Sequence, residues 1–300
     1  MTRLSLPNPM PITASDTPII DAFGRIRVSN PYTVFDSKQL FDKQPLLWDD
    51  TNKYGAGTTS VHDPNKASTT IGTPGGVPAN RTRQTFMRFN YQPGKSQLVF
   101  MTGTLIASGG GTDVQQGMGL GDDNNGIFIR TLNGAHALLR YSYRSGARVV
   151  TSIGQFAWNL DKFDGTGPSG ITLDLTKSQI FVIDFEWLGV GRMRCGFVFN
   201  GLIYYCHEFL HSNEEVGVYM STPNLPLRYW IQDGGAGVAS TLECICASVI
   251  SEGGQQDTGI LRHADNNISS AMTAGTTYAL LGLRLKSTHI GAAIDLINTS

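Results

Sequence analysis

His207-Glu208-Phe209-Leu210-His211 carries the spacing H-E-x-x-H, in which two histidines share a zinc ion and the glutamate acts as general base. That chemistry needs a helix, because a helix brings positions four apart onto one face. Here the five residues continue Leu202–Cys206, a β-favouring run that leaves a hairpin turn. On a strand the two histidine Cα atoms lie about 13 Å apart, too far to share one ion at ligand distances of ~2.1 Å. The metzincin continuation fails as well: Glu214 and Gly217 stand where Gly and His are required, and Glu243 is the one tempting third ligand downstream. The motif is read as coincidence, and neither a metal nor a cofactor is expected.

Asp184 and Glu186 alternate, so on a strand they leave the same face. Paired carboxylates flank the sugar bond in glycosidases, and sandwich-fold glycosidases place them on an E-x-D-x-x-E strand. With Asp184 as the central acid, Val182 and Trp187 occupy the outer places. The pattern fails, and a cross-strand Glu186–Arg194 pair worth roughly 0.2–1 kcal/mol is expected instead. Cys195, Cys206, Cys244 and Cys246 lack the C-x-x-C knuckles of zinc sites and read as small core hydrophobes. Asp122–Gly126 and Asp161–Gly167 gather oxygens that could ligate calcium, but without EF-hand spacing they read as turns. Gly109-Gly110-Gly111 opens no helix, so it is no phosphate cradle. No residue is assigned to catalysis.

The elements that must position these residues are strands. Only 16% of the 300 residues are charged, 40% are hydrophobic, and glycine (35) and proline (13) are frequent. Short β-type runs recur with turn signals between them, including Phe23–Ser29, Arg83–Tyr91, Gln97–Ala107, Gly126–Thr131, Ala135–Tyr143, Arg148–Ile153, Gln179–Leu188, Arg192–Asn200, Leu202–Phe209, Val216–Ser221, Leu227–Gln232 and Thr241–Ser251. Gln155–Lys162 is the one stretch suited to a short helical turn. This pattern predicts an all-β fold, an antiparallel β-sandwich or jelly roll. Three regions follow: an extended arm over residues 1–20, whose four prolines pin the backbone, a sandwich over 21–254, and a C-terminal β extension over 255–300 with runs at Thr277–Leu285 and His289–Ile297. Residues 51–82, rich in Gly, Thr, Pro and Asn, read as a long surface loop.

Register can be read at the central hairpins. Asn200-Gly201 suits a type I′ turn, which pairs Phe199 with Leu202, Phe197 with Tyr204 and Cys195 with Cys206. A three-residue turn at Gly189–Gly191 pairs Trp187 with Met193 and Phe185 with Cys195. Both put one apolar face on the core and set Arg194 beside Glu186 and His207 on the other face. Cys195 and Cys206 are expected to be buried, reduced neighbours.

A net charge of −1 gives no basic stripe for nucleic acid, and no apolar run approaches the ~18 residues of a membrane span. Met1–Met10 shows no secretory h-region, so synthesis in a cytoplasm is expected.

Three stretches together carry a family resemblance: DAFGRIRVSNPYTVFDSKQ (Asp21–Gln39), WNLDKFDGTGPSGITLDLTKSQIFVIDFEWLGVGRMRCGFVFNG (Trp158–Gly201) and SVISEGG (Ser248–Gly254). They resemble virion structural proteins of tailed phages of aquatic bacteria, cyanophages among them, with relatives in large DNA viruses. The resemblance implies a non-enzymatic particle component, a capsid, neck or tail subunit made in the host cytoplasm, with no catalytic residues to carry over. It also implies a spaced histidine pair at His207 and His211 without a constant glutamate. Its partners would be other virion proteins and further copies of itself, a trimer being the expected closed oligomer, with the arm adding a strand to a neighbour's sheet. The rival reading is a glycan- or receptor-binding module of a phage fibre that meets a host surface glycan through exposed Asp184, Glu186, Arg194, Tyr205 and His207 on the outer sheet face.

Overall fold

The structure, a computed structural model, describes residues 20–23, 26, 30–109, 113–256, 271 and 273–276. It is an antiparallel β-sandwich of jelly-roll type. One sheet has eight strands: β1 (Tyr32–Lys38), β3 (Thr59–Asp63), β4 (Ser68–Thr73), β6 (Ser96–Ser108), β11 (Gln179–Phe185), β12 (Met193–Phe199), β13 (Leu202–Phe209) and β15 (Ser240–Glu252). The other has seven: β2 (Trp48–Tyr54), β5 (Ala79–Thr85), β7 (Val114–Gly121), β8 (Gly126–Leu132), β9 (Ala135–Arg144), β10 (Ala147–Gly154) and β14 (Leu227–Asp233). The chain crosses repeatedly between the sheets, and the strand orders are β13-β12-β11-β6-β15-β4-β3, with β1 also on β15, and β10-β9-β8-β7-β14-β5-β2. Among the described residues the one helical element is a 3-10 turn at Gln155–Ala157.

A single apolar core lies between the sheets. Val99, Met101, Phe181, Ile183 and Phe197 from one sheet meet Met118, Ile127, Ile129, Leu138 and Ile231 from the other. Tyr229 spans the layer, and its hydroxyl donates to the carbonyls of Thr102 (2.9 Å) and Cys246 (3.0 Å) on the opposite sheet. Burial without those acceptors would leave a costly unsatisfied hydroxyl.

Several expectations are corrected. Residues 51–82 are not a loop but hold most of β2 and all of β3 and β4, then run into β5. Their strands are built of Thr, Ser and Asn, so they lack an apolar alternation, and Ser68 is satisfied instead by Glu243 at 2.8 Å. The run from Arg83 ends as a strand at Thr85, and Phe89 forms only an isolated bridge to Leu225. Val216–Ser221 is irregular and contributes no strand between β13 and β14. Strand β7 escaped the sequence reading because glycine at 117, 119 and 121 is a poor strand signal. Of the expected arm over 1–20, Ile20 alone is described. The run Phe23–Ser29 is described only at Phe23, in a turn, and at Ile26, which bridges Ile20. Thr277–Leu285, His289–Ile297 and most of the C-terminal extension lie outside the described residues.

The hairpins follow the expected faces up to a bulge in β13, beyond which Glu208 and not His207 stands opposite Arg194, and the register shifts at two places. Asn200 and Gly201 adopt φ of 51° and 81°, and Phe199 faces Leu202. A β-bulge then falls beyond Gly196 and sets Cys195 opposite His207 instead of Cys206. At the other end, Phe185 rather than Trp187 pairs with Met193, a slide of two residues that preserves every face. The slide accommodates a wider loop, in which Gly191 N–H bonds the Trp187 carbonyl at 2.6 Å and the Glu186 carboxylate accepts from Arg192 N–H at 3.0 Å.

Cys206 Sγ lies 3.3 Å from the Cys195 carbonyl oxygen, and both thiols are free and buried. Burial pushes both thiols well above the ordinary cysteine range. Half-buried Cys246 is therefore expected to react first with iodoacetamide, while Cys195, Cys206 and Cys244 label only after denaturation. Mass spectrometry of the labelled peptides checks this, and rapid native labelling of Cys206 would contradict the packing at the bulge.

Candidate functional site

Of the sequence-derived residues, Asp184, Arg194 and Tyr205 meet on the outer face of the eight-stranded sheet, but not as an exposed patch, whereas the bulge turns His207 to the face of Cys195 and Phe209 and sets Glu208 opposite Arg194. Asp184 and Arg194 face each other across β11 and β12 and are fully buried. Arg194 Nη2 donates to Asp184 Oδ2 at 2.5 Å and to the Ile20 carbonyl at 2.7 Å. Tyr205 donates its hydroxyl to the same carboxylate at 3.0 Å, and its ring lies under the guanidinium at 4.2 Å. Arg192 Nε reaches the Ala22 carbonyl at 3.2 Å. The expected Glu186–Arg194 pair is thus replaced by Asp184–Arg194, with Glu186 turned back onto the loop at Arg192. Asp184, Glu186, Arg194, Tyr205 and His207 are all buried, His207 and Tyr205 being the most open at 7%. Arg194 and Arg192 hold the chain at Ile20 and Ala22 against the sheet, and the five side chains are buried where exposed ones were expected.

The two histidines serve separate partners. His207, beside the bulge, accepts from Asn159 N–H at 3.2 Å and meets Phe209 edge-on. His211, past the end of β13, donates Nδ1–H to the Gly191 carbonyl at 2.6 Å and stacks on Tyr219 at 3.8 Å. Burial pulls both pKa values down to about 4, so both rings are neutral at pH 7. Glu208 pairs with Arg192 at 3.2 Å. Among the described residues no cluster of three or more His, Cys, Asp or Glu side chains could hold a metal ion.

The seven-stranded sheet presents a different outer face. Inward residues of β7, β8, β9 and β14 belong to the core, so the register fixes what points out. One row across the sheet reads Thr82, Trp230, Gly117, Arg130, Ala137, and the next reads Gln84, Arg228, Gly119, Phe128, Leu139. Gln232 and Gln115 form part of the row on one side, and Tyr141 stands beyond Phe128 on the other. Gly117 and Gly119 act as a bed: a Cβ at Gly117 would sit 2.7 Å from the Trp230 indole, and one at Gly119 would sit 2.9 Å from the Phe128 ring. The two rings therefore sink into the sheet from opposite sides, forming an apolar cluster with Leu139 separate from the main core, against which Tyr141 packs.

Polar side chains rim this floor. Arg228 donates to Gln84 Oε1 at 2.8 and 2.6 Å and pairs with Asp123 at 2.6 Å. Arg148 covers the Tyr141 ring at 4.7 Å and donates to the Asp123 carbonyl at 2.9 Å. Gln84, Gln115, Arg130, Tyr141 and Gln232 are half-buried. Sequence reasoning missed this face entirely; the signal available was glycine at alternate positions 117, 119 and 121 against Met118 and Leu120. A third surface, a polar cleft of about 420 Å³ near Lys66, Lys177 and Glu243, contains no aromatic side chain.

Neither a family model nor a curated protein matches the sequence. Among solved structures the chain is similar to endo-1,3-beta-glucanase from Streptomyces sioyaensis, at 9% identity over 74% of this chain and 97% of that one, with a TM-score of 0.48. It is also similar to a legume lectin-like domain from Entamoeba histolytica, at 11% identity over 72% and 96%, TM-score 0.40. A third is the CBM2 module of the evolved Dit of Lactobacillus casei BL23 phage J-1, at 7% identity over 73% and 95%, TM-score 0.44. Such values leave the function of this chain to rest on its own geometry.

The buried pair under Ile20 makes a direct prediction. Asp184→Asn keeps the shape but leaves Arg194 charged without its carboxylate, which is expected to cost about 3–5 kcal/mol. The double change Asp184→Leu with Arg194→Met is expected to recover most of that loss. Urea unfolding of the three proteins measures both.

Proposed function

We propose that the chain is a non-catalytic module that binds a saccharide on the outer face of its seven-stranded sheet, carried on a virion. The observation that carries this reading is the group of half-buried amide, guanidinium and phenol side chains Gln84, Gln115, Arg130, Tyr141 and Gln232 on this face, held over a glycine bed in which Trp230 (8% exposed) and Phe128 (0%) are themselves buried. Sugars present apolar C–H faces and closely spaced hydroxyls. Binding sites of this kind combine aromatic surface with a few placed polar groups, and amides and guanidinia offer paired donors and acceptors in fixed planes. Tyr141 supplies a half-buried ring at the rim, with Gln84, Gln115 and Gln232 around the same floor.

Binding without hydrolysis is supported by the central strands of this face; the acids nearest to them are Asp123, paired with Arg228, and Asp49, opposite Gln84 on β2. A glycosidase of the usual kind needs two carboxyl groups flanking the bond. The outward positions of β14, β7, β8 and β9 are Arg, Trp, Gln, Gly, Phe, Leu, Ala or Tyr, with no carboxylate among them. The acids Asp184 and Glu186 lie on the other sheet and are spent on Arg194 and the Arg192 loop.

Attachment to a particle is supported by a separate surface. Phe41 and Leu46 are each 90% exposed and Phe86 is 62% exposed. Phe86 N–H bonds the Leu47 carbonyl at 3.0 Å, which brings the two loops together. Grouped apolar exposure of this kind marks protein contacts, which suits a subunit that binds other virion proteins. The sequence resemblance to virion proteins points the same way.

A microarray of bacterial oligosaccharides tests the binding reading. Tyr141→Ala is expected to weaken binding at least ~10-fold, a loss of about 1.4 kcal/mol, with little change in the thermal midpoint. Val61→Ala, on the eight-stranded sheet, should leave binding unchanged. Equal binding by wild type and Tyr141→Ala would refute the assignment of this face.

A further inference from the structure

We infer that the saccharide bound on this face is acidic, its carboxylate seated on Arg130; the inference rests on the binding reading above and names the ligand class. The three guanidinium groups of the face differ in what they already hold. Arg228 is committed to Asp123 and Gln84, and Arg148 to the Asp123 carbonyl and the Tyr141 ring. Arg130 has one polar contact, Gln115 Oε1, at the 3.5 Å limit, and its Nε is buried with no hydrogen-bond partner. Among the described residues it forms no ion pair.

Its surroundings keep it so. In its own row the neighbours are Gly117 and Ala137, which carry no polar atoms to offer. The Trp230 ring fills the space over Gly117, and Tyr141 is the one titratable group that acts on the guanidinium, whose pKa burial pulls below the ordinary arginine range. A half-buried cation without an anion is costly, and the cost is relieved when a ligand brings one. A carboxylate fits better than a polyphosphate. A guanidinium takes a single carboxylate through two parallel bonds, whereas a phosphate chain needs a basic stripe that a chain of net charge −1 does not offer.

The test compares oligomers of polygalacturonate, alginate and hyaluronate with neutral galactan and dextran oligomers by isothermal titration of the full chain. Wild type should bind at least one acidic oligomer at least ~10-fold more tightly than the neutral ones. Arg130→Gln should abolish that preference, and Arg130→Lys, with the charge but not the fork, should fall between. Circular dichroism melting confirms that the variants fold. Binding of neutral oligomers without preference, lost on Tyr141→Ala, would overturn the inference and leave the binding reading standing. An acidic preference that survives Arg130→Gln would also overturn it. Absence of binding to every oligomer would overturn both.

Discussion

Every side chain on the outer face of the seven-stranded sheet is placed by a constraint acting on the inner one. Because successive residues of a strand point to opposite sides, Met118, Ile127, Ile129, Leu138 and Ile231 can enter the core only if their neighbours leave it. A slip of one residue in β14 would bury Arg228 and Gln232 and expose Tyr229 and Ile231, so the rows are fixed by apolar burial. Trp230, Gly117 and Arg130 share a row for this reason, although no contact between them was needed to align them. The same constraint tolerates the slide of two residues at the β11–β12 loop, which moves partners but leaves each side chain on its face.

The two sheets use their outer faces in opposite ways. On the eight-stranded sheet, Asp184 accepts from both Arg194 and Tyr205, and Arg194 also pins the chain at Ile20. A buried pair of this kind contributes little net stability over an apolar substitute, but removing one partner is severe. On the seven-stranded sheet the aromatic rings sink into a glycine bed, the acids are absent from the central strands, and one guanidinium remains unmatched. The first arrangement is what holding a chain segment requires, and the second is what receiving a ligand requires.

The fold was legible where side chains alternate strongly. Strands β8, β9, β11, β12 and β13 and the Asn200-Gly201 turn could be read directly, because aromatic and β-branched residues mark their inner faces. Strands β2 to β4 were not, since Thr, Ser and Asn at both faces look like loop. The bulge at Cys206 has no local signal: it is set by Leu160 and Asp161, whose N–H groups both bond the Cys206 carbonyl at 3.0 Å from a distant segment. The site was the least legible part. Asp184, Glu186 and His207 attracted attention through residue type, yet chemistry-bearing residues that satisfy one another are structural. The residues of the proposed site are conspicuous only once register aligns Trp230, Gly117 and Arg130 from three separate strands.

Amide and indole NMR spectra of the isotopically labelled chain, recorded while an acidic oligosaccharide is added, address the central claim most directly. Saturable shifts should centre on the Trp230 indole N–H and on the backbone of Gly117, Arg130 and Tyr141, with the strands that carry Asp184, Arg194 and Tyr205 unmoved. Shifts centred instead on those strands, or no saturable shifts at all, would contradict the assignment of recognition to the seven-stranded sheet.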